Sequence, residues 1–265
     1  MSEIKENSIL KTENLAIGYT SKKSQNIVAS NINLSIEKGR LVVVLGKNGI
    51  GKSTLLRTIA KVQRPLSGSV LIHQKNLNSI SEKDLAKQVG LVLTERLPES
   101  QLTVFELIAL GRQPYTNWLD KLSKTDIKKI DFAIQQTNIE HLKNKNFYEL
   151  SDGQLQRVLI ARAIAQDTEM IILDEPTAHL DLHHTFKIFT LLQKLVSETQ
   201  KTIVLSTHQV NLAIKFADEV ILFSENKVKS GSTATLIYNN DFDNLFPKEI
   251  INFDKNLQQF IINKK

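Results

Sequence analysis

The clearest chemical signal in the sequence is a glycine-rich segment with the spacing G-x-x-x-x-G-K-[ST]. It consists of Gly46-Lys47-Asn48-Gly49-Ile50-Gly51-Lys52-Ser53. Glycines let the backbone turn tightly, so several N–H groups can point at phosphate oxygens, and a following helix adds the positive end of its dipole. Lys52 would bring a full charge to the β- and γ-phosphates, and the Ser53 hydroxyl could ligate Mg²⁺. The segment predicts a nucleoside triphosphate site with contacts running from Gly46 to Thr54.

A second candidate site lies where two carboxylates follow an apolar run. Met170-Ile171-Ile172-Leu173 leads directly into Asp174 and Glu175. Ligands collect at the carboxyl ends of strands in open α/β sheets, which makes Asp174 a natural partner of Mg²⁺. Glu175 could take a proton from an attacking water, and such help is worth about 10²–10⁴ in rate. Alone, the pair would be an ordinary acidic strand end; beside a phosphate loop, it predicts hydrolysis.

These sites require strands and helices in a particular order. Short apolar runs without alternation predict strands buried on both faces of a mostly parallel sheet. They cover residues 41–45, 91–93, 170–173, 202–205 and 220–223. The first run leads into the glycine-rich segment, and a helix is expected from Lys52 to about Val62. The phosphate motif therefore has the strand before it and the helix after it that its chemistry needs.

Other parts of the chain differ in character. Residues 9–19 and 27–36 predict two strands near the N-terminus. Between about 102 and 150 no strand pattern is found, whereas Thr103 and Glu106 have the spacing of a capping box, so a mainly helical lobe is expected. The tail, about residues 239–265, is rich in Asn and Phe and gives no clear pattern.

Composition limits the possible partners. The chain has 265 residues, no cysteine and a formal net charge of +6. The lysines are spread out, and no aromatic side chains are interleaved with them as a base-stacking surface would need, so no nucleic-acid partner is expected. Residues 1–13 lack the apolar region of a signal peptide, and no apolar run has the length of a membrane span. A role at a membrane would therefore require docking onto an embedded protein.

The motifs and their order resemble the nucleotide-binding subunits of ABC transporters over nearly the whole chain. Leu150-Ser151-Asp152-Gly153-Gln154 resembles the signature motif of that family, and Ala178-His179-Leu180-Asp181 resembles its D-loop. His208 stands at the place of the switch histidine, and Tyr19 at the place of an aromatic residue that stacks on adenine. The resemblance implies a single α/β domain over residues 1–265. It would be a P-loop NTPase with a mostly parallel central sheet, an N-terminal antiparallel β-subdomain and an inserted helical lobe.

The resemblance also implies ATP and Mg²⁺ as ligands and a head-to-tail homodimer. Ser151 can cap the helix that follows, and the free N–H groups there can bind a γ-phosphate held by the loop of the partner copy. Ser151, Gly153, Gln154 and Asp181 are accordingly expected to contact nucleotide. Lys52, Asp174, Glu175 and His208 are expected to act in catalysis.

Two positions depart from the family pattern. Asp152 replaces a usual glycine; a carboxylate in the first helical turn suits the dipole, yet it would repel a phosphate unless it turns away. The usual metal-contacting glutamine is replaced by Glu95, which keeps an oxygen ligand for Mg²⁺ but adds charge. Gln101 is an alternative for that position. Both departures bear on the ATPase rate and its coupling rather than on the fold.

Residues 102–115 resemble the helical lobe of importers for iron–siderophore, haem and cobalamin. This implies a permease dimer in the membrane, an extracytoplasmic binding protein, and a position on the cytoplasmic face of the cell membrane. Two alternatives stay open. One is a soluble ABC ATPase of the iron–sulfur assembly type, and the other is an ATP-binding module without catalysis. A chromosome-maintenance ATPase is disfavoured, because residues 53–151 contain no long coiled-coil insertion.

Overall fold

The computed structural model describes residues 7–21, 24–93, 100–116, 121–224, 227–247 and 250–263. Within these ranges the strands are β1 (Ser8–Thr20), β2 (Gln25–Ile32), β3 (Ser35–Glu37), β4 (Leu41–Leu45), β5 (Ser67–Ile72), β6 (Lys75–Asn76), β7 (Val89–Val92), β8 (Met170–Leu173), β9 (Thr202–Ser206), β10 (Glu219–Ser224), β11 (Lys227–Ser232), β12 (Ile251–Asp254) and β13 (Gln259–Ile262). The α-helices are α1 (Lys52–Ile59), α2 (Glu82–Leu85), α3 (Val104–Ala109), α4 (Lys124–Thr137), α5 (Asp152–Ala165), α6 (Leu182–Thr199), α7 (Val210–Phe216) and α8 (Thr233–Tyr238). Short 3₁₀ helices cover Leu77–Ser79, Leu110–Tyr115, Glu140–Leu142, Phe147–Glu149 and Asp241–Asn244.

The central sheet has the strand order β11-β10-β4-β9-β8-β7. Neighbouring strands from β10 to β7 are parallel, and β11 joins β10 as an antiparallel edge strand. Every residue of β4, β8 and β9 is buried, as the unbroken apolar runs predict for strands that are covered on both faces. The predicted α/β fold with a mostly parallel sheet is confirmed.

Parallel pairing brings the carboxyl ends of β4, β8 and β9 to one edge of this sheet. Val44 in β4 pairs with Ser206 in β9, and Leu173 in β8 pairs with Leu205 in β9. The glycine-rich segment follows β4 directly, and Asp174 follows β8. The register of three strands therefore places the two predicted sites next to each other.

A second, antiparallel sheet is built around β1, which pairs with β2, β3 and β5. The prediction of one strand over residues 27–36 is wrong, because that segment divides into β2 and β3. Asn31, the next-to-last residue of β2, has a φ of +53°, which distorts the strand just before it ends. The Thr12 hydroxyl in β1 occupies the break, where it donates to the Ile32 carbonyl and accepts the Leu34 N–H, each at 2.9 Å.

The central sheet separates two apolar cores, because successive residues of a strand point to opposite faces. Val42 and Val44 face the antiparallel sheet and α1, whereas Val43 and Leu45 face the layer that contains α5 and α6. The glycine-rich segment leaves β4 between these two layers. Both cores therefore hold the strand that carries it.

The chain between β7 and α5 contains α3, α4 and three of the 3₁₀ helices in its described ranges. Thr103 and Glu106 form the predicted capping box at the start of α3. The 3₁₀ helix after α3 packs directly on the backbone of α5, since a Cβ added at Gly111 would lie 2.4 Å from the Arg162 carbonyl oxygen. This close approach connects the helical segment to the helix that follows Ser151.

An ion pair reinforces that contact. Arg112 Nε donates to Asp126 Oδ1 at 2.8 Å, and its Nη1 donates to the Ala165 carbonyl at 2.7 Å. The two charged side chains are only 5% and 6% exposed. Asp126 also accepts the Ser123 N–H at the start of α4. One buried arginine thus links the 3₁₀ helix to both α4 and α5.

The tail, which gives no clear pattern in the sequence, forms a β12–β13 hairpin with an aromatic cluster. The rings of Phe242 and Phe253 are stacked with centroids 5.0 Å apart, and Phe260 makes edge contacts with both. The side chain of Asn211 in α7 bonds both the N–H and the carbonyl of Phe260. The hairpin is thereby attached to the helix that begins two residues after His208.

Replacing Arg112 by methionine is expected to lower the free energy of unfolding by about 3 kcal/mol, because Asp126 would stay buried without its cation. Urea denaturation of the full chain measures this loss. The matched control is Lys194→Met, which removes an exposed pair with Glu198 and should cost less than about 1 kcal/mol. Equal losses in the two variants would contradict a stabilising role for the buried pair.

Candidate active site

The phosphate loop connects β4 to α1 and depends on glycine at two positions. Gly49 has a φ of +74°, and Gly51, the N-cap of α1, has a φ of +116°. A Cβ at Gly51 would lie 2.3 Å from Val28 Cγ1, whereas a Cβ at Gly49 would meet no atom within 4 Å. Since Gly51 supplies no side chain to cap α1, the first-turn N–H groups are available to an anion, as the motif predicts.

Lys52 is folded back onto the loop. Its Nζ donates to the carbonyl oxygens of Gly46 at 3.0 Å and Lys47 at 3.2 Å, and it lies 4.0 Å from Glu175 Oε1. The residue is 4% exposed. Burial lowers the pKa of Lys52, and the negative charges of Glu175 and Asp174 oppose that shift. A buried ammonium with weak carbonyl partners is suited to exchange them for phosphate oxygens.

Asp174 contacts the residue that follows Lys52 of the phosphate loop. Its Oδ1 accepts a hydrogen bond from Ser53 Oγ at 2.8 Å and another from Ser206 Oγ at 2.8 Å. Ser53 and Asp174 are the two described residues that the sequence predicts as metal ligands, and they are in contact. Ser206 is missed by sequence reasoning, because its role depends on the pairing of β9 with both β4 and β8.

Glu175 lies between Lys52 and His208. Its Oε1 is 2.6 Å from His208 Nε2, and its backbone N–H donates to Ser206 Oγ at 2.9 Å. The residue has a φ of +48°, a left-handed conformation that is uncommon for a residue with a side chain. This turn points the carboxylate at the lysine of the phosphate loop rather than along the strand. The predicted base and the predicted switch histidine are therefore direct neighbours.

A cleft of about 350 Å³ adjoins Glu175. The residues that line it come from two segments, 175–180 and 208–209. Thr177 and Thr207 share a hydrogen bond at 3.1 Å and join these segments at their base. The cleft thus opens beside the carboxylate that would activate water.

The segment that resembles the signature motif begins α5. The Ser151 hydroxyl accepts the Gln154 N–H at 3.4 Å, and the Gln154 side chain accepts the Ser151 N–H at 3.1 Å. This capping box confirms Ser151 as a helix cap. Ser151 and Asp152 are exposed, so the carboxylate that departs from the family pattern is accessible to water.

Asp181 is the N-cap of α6 and is held by His184. It accepts the His184 N–H at 2.7 Å and contacts His184 Nδ1 at 2.9 Å. The backbone hydrogen bond from His184, followed by the bond from its ring, lowers the pKa of Asp181. A Cβ at Gly153 would lie 3.1 Å from His184 Cδ2, so Asp181 and the first turn of α5 are joined through one imidazole. The sequence assigns no role to His184.

The remaining residues that the sequence predicts for the site are Tyr19, Glu95 and the alternative Gln101. Tyr19 is 54% exposed and its hydroxyl is hydrogen-bonded to Thr54 Oγ1 at 3.0 Å, which places it beside the start of α1. Glu95 lies outside the described residues, and Gln101 is exposed just before α3. No group of three or more metal-ligating side chains is found among the described residues.

Comparison with known proteins agrees with this geometry. A family model described as ABC transporter matches residues 29–178, more than half of the chain. An uncharacterized ABC transporter ATP-binding protein of Methanocaldococcus jannaschii is 42% identical over 83% of this chain and 74% of its own. The iron(3+)-hydroxamate import ATP-binding protein of Bacillus subtilis is 36% identical over 85% of this chain and 82% of its own.

A solved structure has a similar fold. It is a dimeric ATP-binding cassette in a post-hydrolysis state with ADP and Pi, and it matches with a TM-score of 0.73 and 30% identity over 84% of this chain and 98% of that one. The chain belongs to the ATP-binding subunits of the ABC transporter family. It binds ATP and is an ATPase.

Substitution of the two loop glycines is expected to have unequal effects. Gly51→Ala should abolish ATP binding and lower the melting temperature, because the new Cβ would collide with Val28 as well as strain the backbone. Gly49→Ala should cost only about 1–2 kcal/mol of backbone strain, since the space beside it is open. Thermal unfolding and a fluorescent ATP analogue measure both quantities. The interpretation fails if the two variants behave alike.

Proposed function

We propose that this chain powers an ABC importer for an iron–siderophore, haem or cobalamin type of substrate. The observation that carries the proposal is the contact of Ser53 with Asp174 beside Glu175 and His208, which would provide the groups for the ATP hydrolysis that drives import. The substrate class is supported by the relative that is named for iron(3+)-hydroxamate import and by the resemblance of residues 102–115 to such importers. The chain would supply the ATPase activity that drives transport, and its partners would select the substrate.

Mg²⁺ would be held by Ser53 and Asp174. A hydroxyl and a carboxylate are oxygen donors, which this cation prefers, and they already share a hydrogen bond at 2.8 Å. Glu95 is a further proposed oxygen ligand. When bound, the cation would neutralise charge that develops on the β- and γ-phosphate oxygens.

Hydrolysis would use the side chains of Lys52, Glu175 and His208. Lys52 would leave the loop carbonyls for the phosphates. Glu175 would take the proton of the attacking water, and His208, 2.6 Å from that carboxylate, would fix its orientation. Lys52 Nζ lies 4.0 Å from Glu175 Oε1. A bound phosphate would therefore replace this carboxylate as the negatively charged partner of the lysine.

We further propose a head-to-tail homodimer. Tyr19 would stack on the adenine of the ATP bound in its own copy, beside Thr54. Ser151, Gly153, Gln154 and Asp181 would contact the ATP held by residues 46–54 of the second copy. The exposed start of α5 and the dimeric state of the related cassette support this arrangement. Each copy would thus contribute to two sites.

The remaining proposed partners lie at the membrane. No helix in the described ranges is both long and apolar enough to cross a bilayer. The surface around residues 95–114 would instead receive a permease subunit on the cytoplasmic face of the cell membrane. An extracytoplasmic binding protein would act on the other side, and no nucleic-acid partner is proposed.

Deletion of the gene is expected to abolish growth on a siderophore, haem or cobalamin as the only source of iron or of the vitamin. The wild-type gene should restore growth, whereas Lys52→Ala and Glu175→Gln should not. In the purified full chain, Lys52→Ala should lose ATP binding. Glu175→Gln should keep binding but nearly stop hydrolysis, because an amide cannot accept the proton.

Two results would contradict the proposal. Full ATP turnover by Glu175→Gln would show that another group is the base. Unimpaired growth of the deletion strain on every one of these sources, together with loss of iron–sulfur enzyme activity, would favour the iron–sulfur assembly alternative.

A further inference from the structure

Ser206 is a buried serine at the end of β9 that the sequence motifs do not include. It is 0% exposed. It pairs with Val44 of β4, and it follows Leu205, which pairs with Leu173 of β8. The position is therefore fixed by two neighbouring strands and lies where the phosphate loop and the acidic strand end meet.

One hydroxyl at this position serves both acidic residues. Ser206 Oγ donates its proton to Asp174 Oδ1 at 2.8 Å and accepts the Glu175 N–H at 2.9 Å. A hydroxyl has one proton to donate and lone pairs to accept, so the two bonds are compatible. An apolar side chain of the same size could make neither bond.

The bond to Glu175 acts on an unusual backbone conformation. Glu175 has a φ of +48°, in the left-handed region that residues with a side chain seldom adopt. Ser206 holds the N–H of this residue, and His208 holds its carboxylate at 2.6 Å. The last residue of β9 and the histidine two positions after it therefore fix Glu175 at both its backbone and its side chain.

The bond to Asp174 matters when ligand binds. Ser53 also donates to Asp174 Oδ1, but a nucleotide–cation complex would engage the Ser53 oxygen. Ser206 faces no such competition, because it is fully buried behind the carboxylate. It can keep Asp174 oriented while the contact with Ser53 changes.

We propose that Ser206 is a positioning residue that sets the arrangement of the Asp174 carboxylate and the Glu175 backbone relative to each other. It is fully buried and acts through these two residues. The inference rests on the roles proposed above for Asp174 in cation binding and Glu175 as the base.

The test compares four variants of the full chain. Ser206→Ala removes both bonds, Ser206→Thr keeps the hydroxyl, and Ser206→Cys keeps a weaker donor. The matched control is Thr185→Val in α6, which removes another buried hydroxyl, one whose oxygen has no hydrogen-bond partner among the described residues. All four are measured for melting temperature, ATPase kinetics and amide hydrogen exchange.

Ser206→Ala is expected to lower kcat at least about tenfold, since one hydrogen bond is worth about tenfold in rate and the variant removes two, with little change in the KM for ATP. The Mg²⁺ concentration for half-maximal activity should rise. In the chain without nucleotide, the peptide that covers residues 171–178 should exchange its amide hydrogens faster, since the Glu175 N–H loses its acceptor. Ser206→Thr and Thr185→Val should match the wild type in kcat, in Mg²⁺ requirement and in amide exchange. Ser206→Cys should be intermediate.

Wild-type kcat and Mg²⁺ dependence in Ser206→Ala would overturn the inference. The same defects in Thr185→Val would also overturn it, because they would reflect the loss of any buried hydroxyl. Glu175→Gln, measured alongside, separates this inference from the proposed function. Full turnover in Glu175→Gln contradicts the proposed base, whereas an inactive Glu175→Gln with a normal Ser206→Ala contradicts only the role of Ser206.

Discussion

The Asp174 carboxylate is the point at which three distant segments of the chain meet. It accepts hydrogen bonds from Ser53 after the phosphate loop and from Ser206 at the end of β9, and it continues the chain of β8. Because Asp174 is only 2% exposed, its carboxylate is stabilised by these hydrogen-bond donors more than by water. A one-residue shift of β8 relative to β9 would turn its side chains to the other face and break the contacts. The pairing of fully buried strands is thus what makes the site.

The second constraint is the cost of burying Lys52. Its ammonium is placed among loop carbonyls and near Glu175, and burial lowers its pKa. The ammonium is held inside by its bonds to the carbonyl oxygens of Gly46 and Lys47. A triphosphate offers the lysine stronger partners than the carbonyls do. The loop is therefore arranged for its ligand before the ligand arrives.

The sequence predicts the parts of the site that are local in the chain. The spacing from Gly46 to Ser53, the apolar run before Asp174 and the helix cap at Ser151 each lie within a few residues, and the structure has all three. Contacts that depend on strand register or helix packing are not predictable in this way. Ser206 and His184 are examples, because their partners lie 32 and 31 residues away, at Asp174 and Gly153. The single strand expected over residues 27–36 fails for a similar reason, since Thr12 stabilises the break from another strand.

The most direct test of this account is the Mg²⁺ dependence of ATP binding, measured by calorimetry on the wild-type chain and on Asp174→Asn. Mg²⁺ is expected to tighten ATP binding by the wild type, and Asp174→Asn is expected to lose this gain. Binding without Mg²⁺ should persist in the variant, because the phosphate loop is intact. If Mg²⁺ tightens ATP binding equally in both proteins, Asp174 does not hold the cation.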